Sequence, residues 1–183
     1  MNRKKCWGIG LGRTGTRSLC EAFKILGFEN VKHVPPFMSD LDDVDAAAEG
    51  ICMSHYAYLD LRFPDSKFIL TTRNIEPWLD SCQRAMKDFP KERITPESEF
   101  YNAMIRNRAA RYGSLVFDRN KLIKKYYQHH FDVVNFFSGR EDQLLVIDLT
   151  EGIDQWEKIC QFLTVDLPSE KFPQISGKQG IKS

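Results

Sequence analysis

The stretch GIGLGRTGTRSL, residues 8 to 19, constrains the fold more than any other part of the sequence. Lys5 to Gly10 reads as a short buried strand that runs into a glycine-rich turn. From Arg17 the apolar residues Leu19, Ala22, Phe23 and Leu26 fall at helical spacing, and Gly27 supplies a stop signal. Strand, tight glycine loop and helix in that order aim backbone N–H groups and a helix N-terminus at one point, where an anion is favoured.

The remaining chain repeats this alternation. Val31 to Val34 reads as a second short strand, and Pro35-Pro36 opens an irregular stretch containing the acidic run SDLDDVDAAAEG. Ser54 reads as the N-cap of a helix through Phe63, broken by Pro64-Asp65. KFILTTR, residues 67 to 73, is a continuous β-favouring run that suits a strand buried on both faces. Pro77 fits the first turn of the next helix, with Trp78, Leu79, Cys82, Met86 and Phe89 as its apolar stripe. A polar connection over residues 88 to 99 precedes a helix carrying Arg106, Arg108 and Arg111. A longer helix is expected over Lys121 to Phe137, a third buried strand over 144 to 149, and a last helix bearing Trp156, Ile159, Cys160 and Leu163. The pattern predicts one α/β domain over residues 1–183, a mainly parallel sheet with helices on both faces, and a loosely structured tail after Pro173.

Charge and cysteine content narrow the function classes. Lys and Arg total 26 against 25 Asp and Glu, so no global charge marks a nucleic-acid or membrane-surface binder, and any anion site has to be built locally. The cysteines at 6, 20, 52, 82 and 160 are odd in number and form no CxxC pair, which fits reduced thiols in a cytoplasmic protein better than a disulfide framework or zinc site. The N-terminal apolar stretch is broken by glycine and ends at Arg13, and no run approaches the roughly twenty residues of a membrane span. A soluble, unexported chain is expected.

Three readings of the glycine loop compete. Gly10 and Gly15 match the glycine spacing of a nucleoside-triphosphate loop, but Thr16 stands where that loop carries its lysine. GLGRTG also matches a dinucleotide fingerprint, yet its acidic ribose ligand would have to be Glu29, which precedes the second strand instead of ending it. The third reading keeps the cradle and moves the cation to Arg13, with Thr14, Gly15, Thr16, Arg17 and Ser18 completing the donor set.

With RTGTRS in those places, the chain resembles the P-loop sulfotransferases, which use 3′-phosphoadenosine 5′-phosphosulfate (PAPS). The resemblance is strengthened by RNIEPWLDS, which puts Arg73 at a strand end and Ser81 eight residues later in the next helix, the family's 3′-phosphate pair. YLDLRFPDSKFILTTRNIEPWLDS and LLVIDLTEGIDQWEKICQFL extend it, and the loop form GxGRTGT is similar to that of a subgroup of small sulfotransferases. The family's C-terminal glycine-rich PAPS loop has only a partial counterpart in SGKQGIK, with Lys178.

The resemblance implies a P-loop NTPase-like three-layer fold and transfer of a sulfuryl group from PAPS to a hydroxyl or amine of a small acceptor, without a metal. It places Gly12, Arg13, Thr14, Gly15, Thr16, Arg17 and Ser18 on the 5′-phosphosulfate and Arg73 with Ser81 on the 3′-phosphate. Arg13 stands at the family's loop-lysine position; as an arginine it stabilises charge and does not donate its proton outright. Glu49, fifteen residues before Pro64, takes the place of an acidic residue in the resembling subgroup and is the expected base, with His55 and His33 as rivals. Arg106, Arg108 and Arg111 read as a solvated helix face, with Arg106 or Arg111 as the one that could reach nucleotide phosphate. Acceptor specificity is expected from residues 35–53 and 88–112. A nucleotide or small-molecule kinase, and an inactive nucleotide-binding interaction protein on the same fold, are the alternatives.

Overall fold

The structure is a computed structural model that describes residues 4–87, 98–151 and 155–175. Its five strands are β1 (Cys6–Gly8), β2 (Val31–His33), β3 (Ala46–Ala48), β4 (Lys67–Thr72) and β5 (Leu144–Asp148), all parallel in the order β2-β3-β1-β4-β5. The helices are α1 (Thr16–Ile25), α2 (Tyr56–Arg62), α3 (Ile75–Lys87), α4 (Glu99–Tyr112), α5 (Arg119–Phe136) and α6 (Gln155–Leu163), with one 3-10 turn at Met38–Leu41. The expected α/β class and the three-layer arrangement are borne out.

Alternation along the strands explains the layers. Cys6, Ala46, Ala48, Ile69 and Ile147 point to one face, where they bury against Leu19 and Phe23 of α1 and Ile159 and Cys160 of α6. Trp7, Ala47, Phe68 and Leu70 point to the other, against Leu59 of α2 and Val133 of α5, with Phe137 just after that helix. Each large side chain so buried stabilises the fold by about 2–3 kcal/mol. A third cluster, Leu11, Trp78, Leu79, Cys82, Tyr112 and Tyr126, ties α3, α4 and α5 beneath the carboxyl ends of the strands. All five cysteines are free and buried, where they pack as small core residues.

The structure corrects several expectations. β3 lies inside the stretch read as irregular. Its three alanines carry no β-favouring signal, and their small size lets α1 approach: a Cβ on Gly8 would come within 2.6 Å of Ala48 Cβ and 2.7 Å of Leu19 Cδ2. Strand β1 ends at Gly8, two residues early, because the carbonyl of Ile9 turns to α5, where His129 Nε2 donates to it at 2.7 Å. His55, not Ser54, precedes α2, and the Ser54 hydroxyl donates back to Ile51 O. Tyr127, within the helix expected over Lys121 to Phe137, is 57% exposed. Parts of the sequence reading, namely Phe89, most of the 88–99 connection, and the C-terminal SGKQGIK with Lys178, lie outside the described residues.

From β1 the chain turns through α1 towards β2, and from β4 it turns the opposite way, through α3, α4 and α5, to β5. Adjacent strands whose connections diverge open a crevice at their carboxyl ends, the place where open α/β sheets bind ligands.

Candidate active site

The loop between β1 and α1 crosses this crevice. Arg13 (φ 77°) and Gly15 (φ 93°) both adopt the left-handed region, and Gly15 is the N-cap of α1. Such alternation turns successive N–H groups to one side, and the helix N-terminus adds its partial positive charge. Gly10 and Gly12 are required by contact. A Cβ on Gly10 would lie 2.0 Å from Thr71 Oγ1 and 2.6 Å from Thr71 O, while one on Gly12 would lie 2.6 Å from the Tyr112 hydroxyl and 2.8 Å from Glu49 Oε1.

The loop is braced from beneath by polar groups. The Thr14 hydroxyl donates to Leu11 O (2.6 Å) and pairs with Thr71 Oγ1 (2.6 Å), and Trp78 Nε1 donates to Gly12 O (2.9 Å). Thr14 is fully buried, so its side chain fixes the loop. Ser18, also in the expected donor set, accepts from the N–H of Ile175 at 3.0 Å, which ties the C-terminal strap to α1. Arg17 is exposed on the first turn of that helix.

On the β4 side the three expected cation and hydroxyl positions meet. Arg13 Nε donates to Ser81 Oγ at 2.9 Å, and Arg73 Nη1 donates to the Arg13 carbonyl at 3.2 Å. Tyr126 fixes the backbone of Arg73, its hydroxyl donating to Arg73 O (2.5 Å) and accepting from Arg73 N (3.0 Å). Arg73 and Ser81 stand together because strand β4 ends where α3 begins, and both elements face the crevice.

On the β3 side the structure assembles a buried charged cluster. Glu49 follows β3, its N–H donating to Gly8 O, and lies in the left-handed region at φ 68°. Its Oε1 is paired with Arg111 Nη1; its Oε2 accepts from Thr16 Oγ1 at 2.5 Å and lies 3.3 Å from His33 Nε2. Burial alone would raise this carboxyl, but Arg111, His33 and Thr16 outweigh it and hold the pKa at about 2. The carboxylate is ionised, with both oxygens engaged. His33 Nε2 also lies 3.2 Å from Thr16 Oγ1, while its Nδ1 has no protein partner among the described residues.

His55 is not part of this cluster: it is exposed and its Nδ1 pairs with Ser54 Oγ at 2.9 Å. Arg111 corrects the reading of a solvated arginine face. Arg106 is exposed as expected, but the Arg111 side chain is only 11% exposed. The same helix touches the β2–β3 connection, Asn107 Nδ2 donating to Pro36 O at 3.2 Å. Among the described residues no group of three or more His, Cys, Asp or Glu is placed to hold a metal ion, and no helix is long and apolar enough to cross a membrane.

Comparison with known proteins assigns the family. The chain is 25% identical over 213 aligned residues to the Ava biosynthesis cluster protein M of Aspergillus versicolor, covering 94% of this chain and 80% of that protein. The family model described as a sulfotransferase domain matches residues 5–50 and 36–181, nearly the whole sequence. A strand-end loop built around glycine and arginine, facing a strand-end arginine and helix serine, thus sits in a chain that belongs to the sulfotransferase family.

Proposed function

We infer that this protein transfers a sulfuryl group from PAPS to a hydroxyl or amine of a small acceptor. The observation that carries the reading is the convergence of Arg13 from one strand-helix unit with Arg73 and Ser81 from another, at one crevice. Two cations, a hydroxyl and two helix N-termini suit a nucleotide phosphorylated at both ends. Glycine at positions 10 and 12 lets the loop pack directly on Thr71, Tyr112 and Glu49, which holds its backbone at the crevice.

PAPS supplies an activated sulfuryl group that leaves adenosine bisphosphate behind. Arg73 and Ser81 hold the 3′-phosphate; the amides of Gly12 through Ser18, with Arg13 and Arg17, hold the 5′ end. Arg13 keeps its proton and acts as a fixed positive charge where the leaving oxygen becomes more negative. For the acceptor proton, the geometry favours His33 at Nδ1, with Glu49 orienting the ring through Nε2. Glu49 was the expected base, but a carboxylate held at about 2 and bonded on both oxygens serves better as the orienting partner. The bonds of Asn107 to Pro36 and of Arg111 to Glu49 support an acceptor site between α4 and the β2–β3 connection, beside this cluster. Five buried thiols fit a cytoplasmic setting.

Calorimetric titration with 3′,5′-adenosine bisphosphate, beside ATP with Mg²⁺ and NAD, tests the reading. Micromolar binding of the bisphosphate alone, lost in Arg73→Ala, is expected. Preference for ATP with Mg²⁺ or for NAD sinks it and returns the loop to a kinase or a dinucleotide site.

A further inference from the structure

We propose that Arg111, reaching from the last turn of α4, is a second cation on the group being transferred, and that Glu49 anchors it there. The proposal rests on the sulfuryl-transfer reading and adds a residue to it.

Three observations carry it. First, Arg111 and Glu49 form an ion pair whose side chains are 11% and 7% exposed. A pair so deeply placed stabilises a fold little beyond what apolar residues of the same volume would achieve, so stability alone does not account for it. Second, the Nε–H of Arg111 is buried with no hydrogen-bond partner. An unmet donor on a charged group is costly, and an anion arriving from outside the protein would satisfy it. Third, the side chain stands against the loop: a Cβ on Gly12 would lie 2.9 Å from Arg111 Cδ, closer than ordinary packing allows.

Electrostatics supplies the reason for a cation at this place. Arg13 is turned to the β4 side by its bond to Ser81, and Arg73 lies on that side too. The β3 side of the loop instead faces the ionised carboxylate of Glu49, which would repel an anionic sulfuryl group moving towards His33. A guanidinium paired with that carboxylate beside the loop cancels the repulsion, and its fork serves two anions at once, Glu49 through Nη1 and a sulfuryl oxygen through the unpartnered Nε–H. Arg111 keeps its proton throughout, so the proton balance of transfer is unchanged.

The test compares two ligands that differ by the sulfuryl group. Affinities for PAPS and for 3′,5′-adenosine bisphosphate are measured by calorimetry on the wild type and on Arg111→Lys, which keeps the charge and loses the fork. The expected result is bisphosphate affinity within threefold of wild type, with PAPS affinity weakened tenfold or more. Should the lysine variant fail to fold, Arg111→Met combined with Glu49→Gln leaves no buried unpaired charge and is read in the same way. Equal weakening of both ligands, or no change in either, overturns the proposal and leaves the donor reading standing. A wild type that binds no bisphosphate overturns the donor reading and this proposal with it.

Discussion

The two sides of the glycine loop are built on opposite principles. Towards β4, Arg13, Ser81 and Arg73 are joined by half-buried hydrogen bonds between charged groups and neutral partners. Towards β3, Thr16, His33, Glu49 and Arg111 form a buried ionic cluster in which every oxygen of the carboxylate is taken. The first side can lose an arginine and leave only a neutral partner behind. The second cannot, because removing one charge strands the other away from water. Binding power and structural dependence are therefore separated across a single loop.

The sharpest break of that contrast is Glu49→Ala, expected to cost about 3–5 kcal/mol in denaturant unfolding because Arg111 is left buried and unpaired. A loss below about 1 kcal/mol would show the cluster to be wet and the contrast wrong.

Acid stability comes next. Burial holds His129 at about 4 against an ordinary 6.5, so the unfolded chain takes up the proton first; its contribution is complete above pH 6.5 and falls as pH drops towards 4. Glu49, held at about 2 against 4.5, contributes fully above pH 4.5 and loses its share between there and pH 2. Each phase is on the order of 3 kcal/mol. Unfolding free energy measured against pH should fall in two phases, with His129→Gln abolishing the upper one and Glu49→Gln the lower.

On the β4 side, Arg73→Ala is expected to weaken adenosine bisphosphate about 10- to 100-fold while changing stability by less than about 1 kcal/mol. A stability loss equal to that of Glu49→Ala would erase the distinction between the sides. The smallest effect is expected of Trp78→Phe, which removes the donor to Gly12 O and should cost about 1 kcal/mol in thermal or denaturant unfolding.

The same division governs what could be read from the sequence. Arg73 and Ser81 belong to one strand-helix unit, so their spacing is a local property, and the loop of residues 10 to 18 announces itself by composition. β4 and β5 were legible because continuous apolar runs suit buried parallel strands. β3 was not, since three alanines between an acidic run and a glutamate have neither β-branching nor alternation; only its register beside β1 makes it a strand. Arg111 was hidden for a different reason. The apolar residues of α4 form no single stripe that would tell a buried arginine from its exposed neighbour Arg106, and its partner Glu49 is supplied by a distant strand end. His55 and His33 look alike in sequence, and only the pairing of β2 with β3 brings His33 to Glu49.

Glu49 and Gly50 occupy the left-handed region in succession, at φ 68° and 56°. For glycine this is free, but for glutamate it stores about 1–3 kcal/mol of backbone strain. A laboratory selection for heat resistance alone, blind to turnover, should therefore discard this glutamate, replacing it with glycine or asparagine while an apolar residue takes the place of Arg111. Persistence of the acidic residue through such a selection would mean that the folded state itself depends on it.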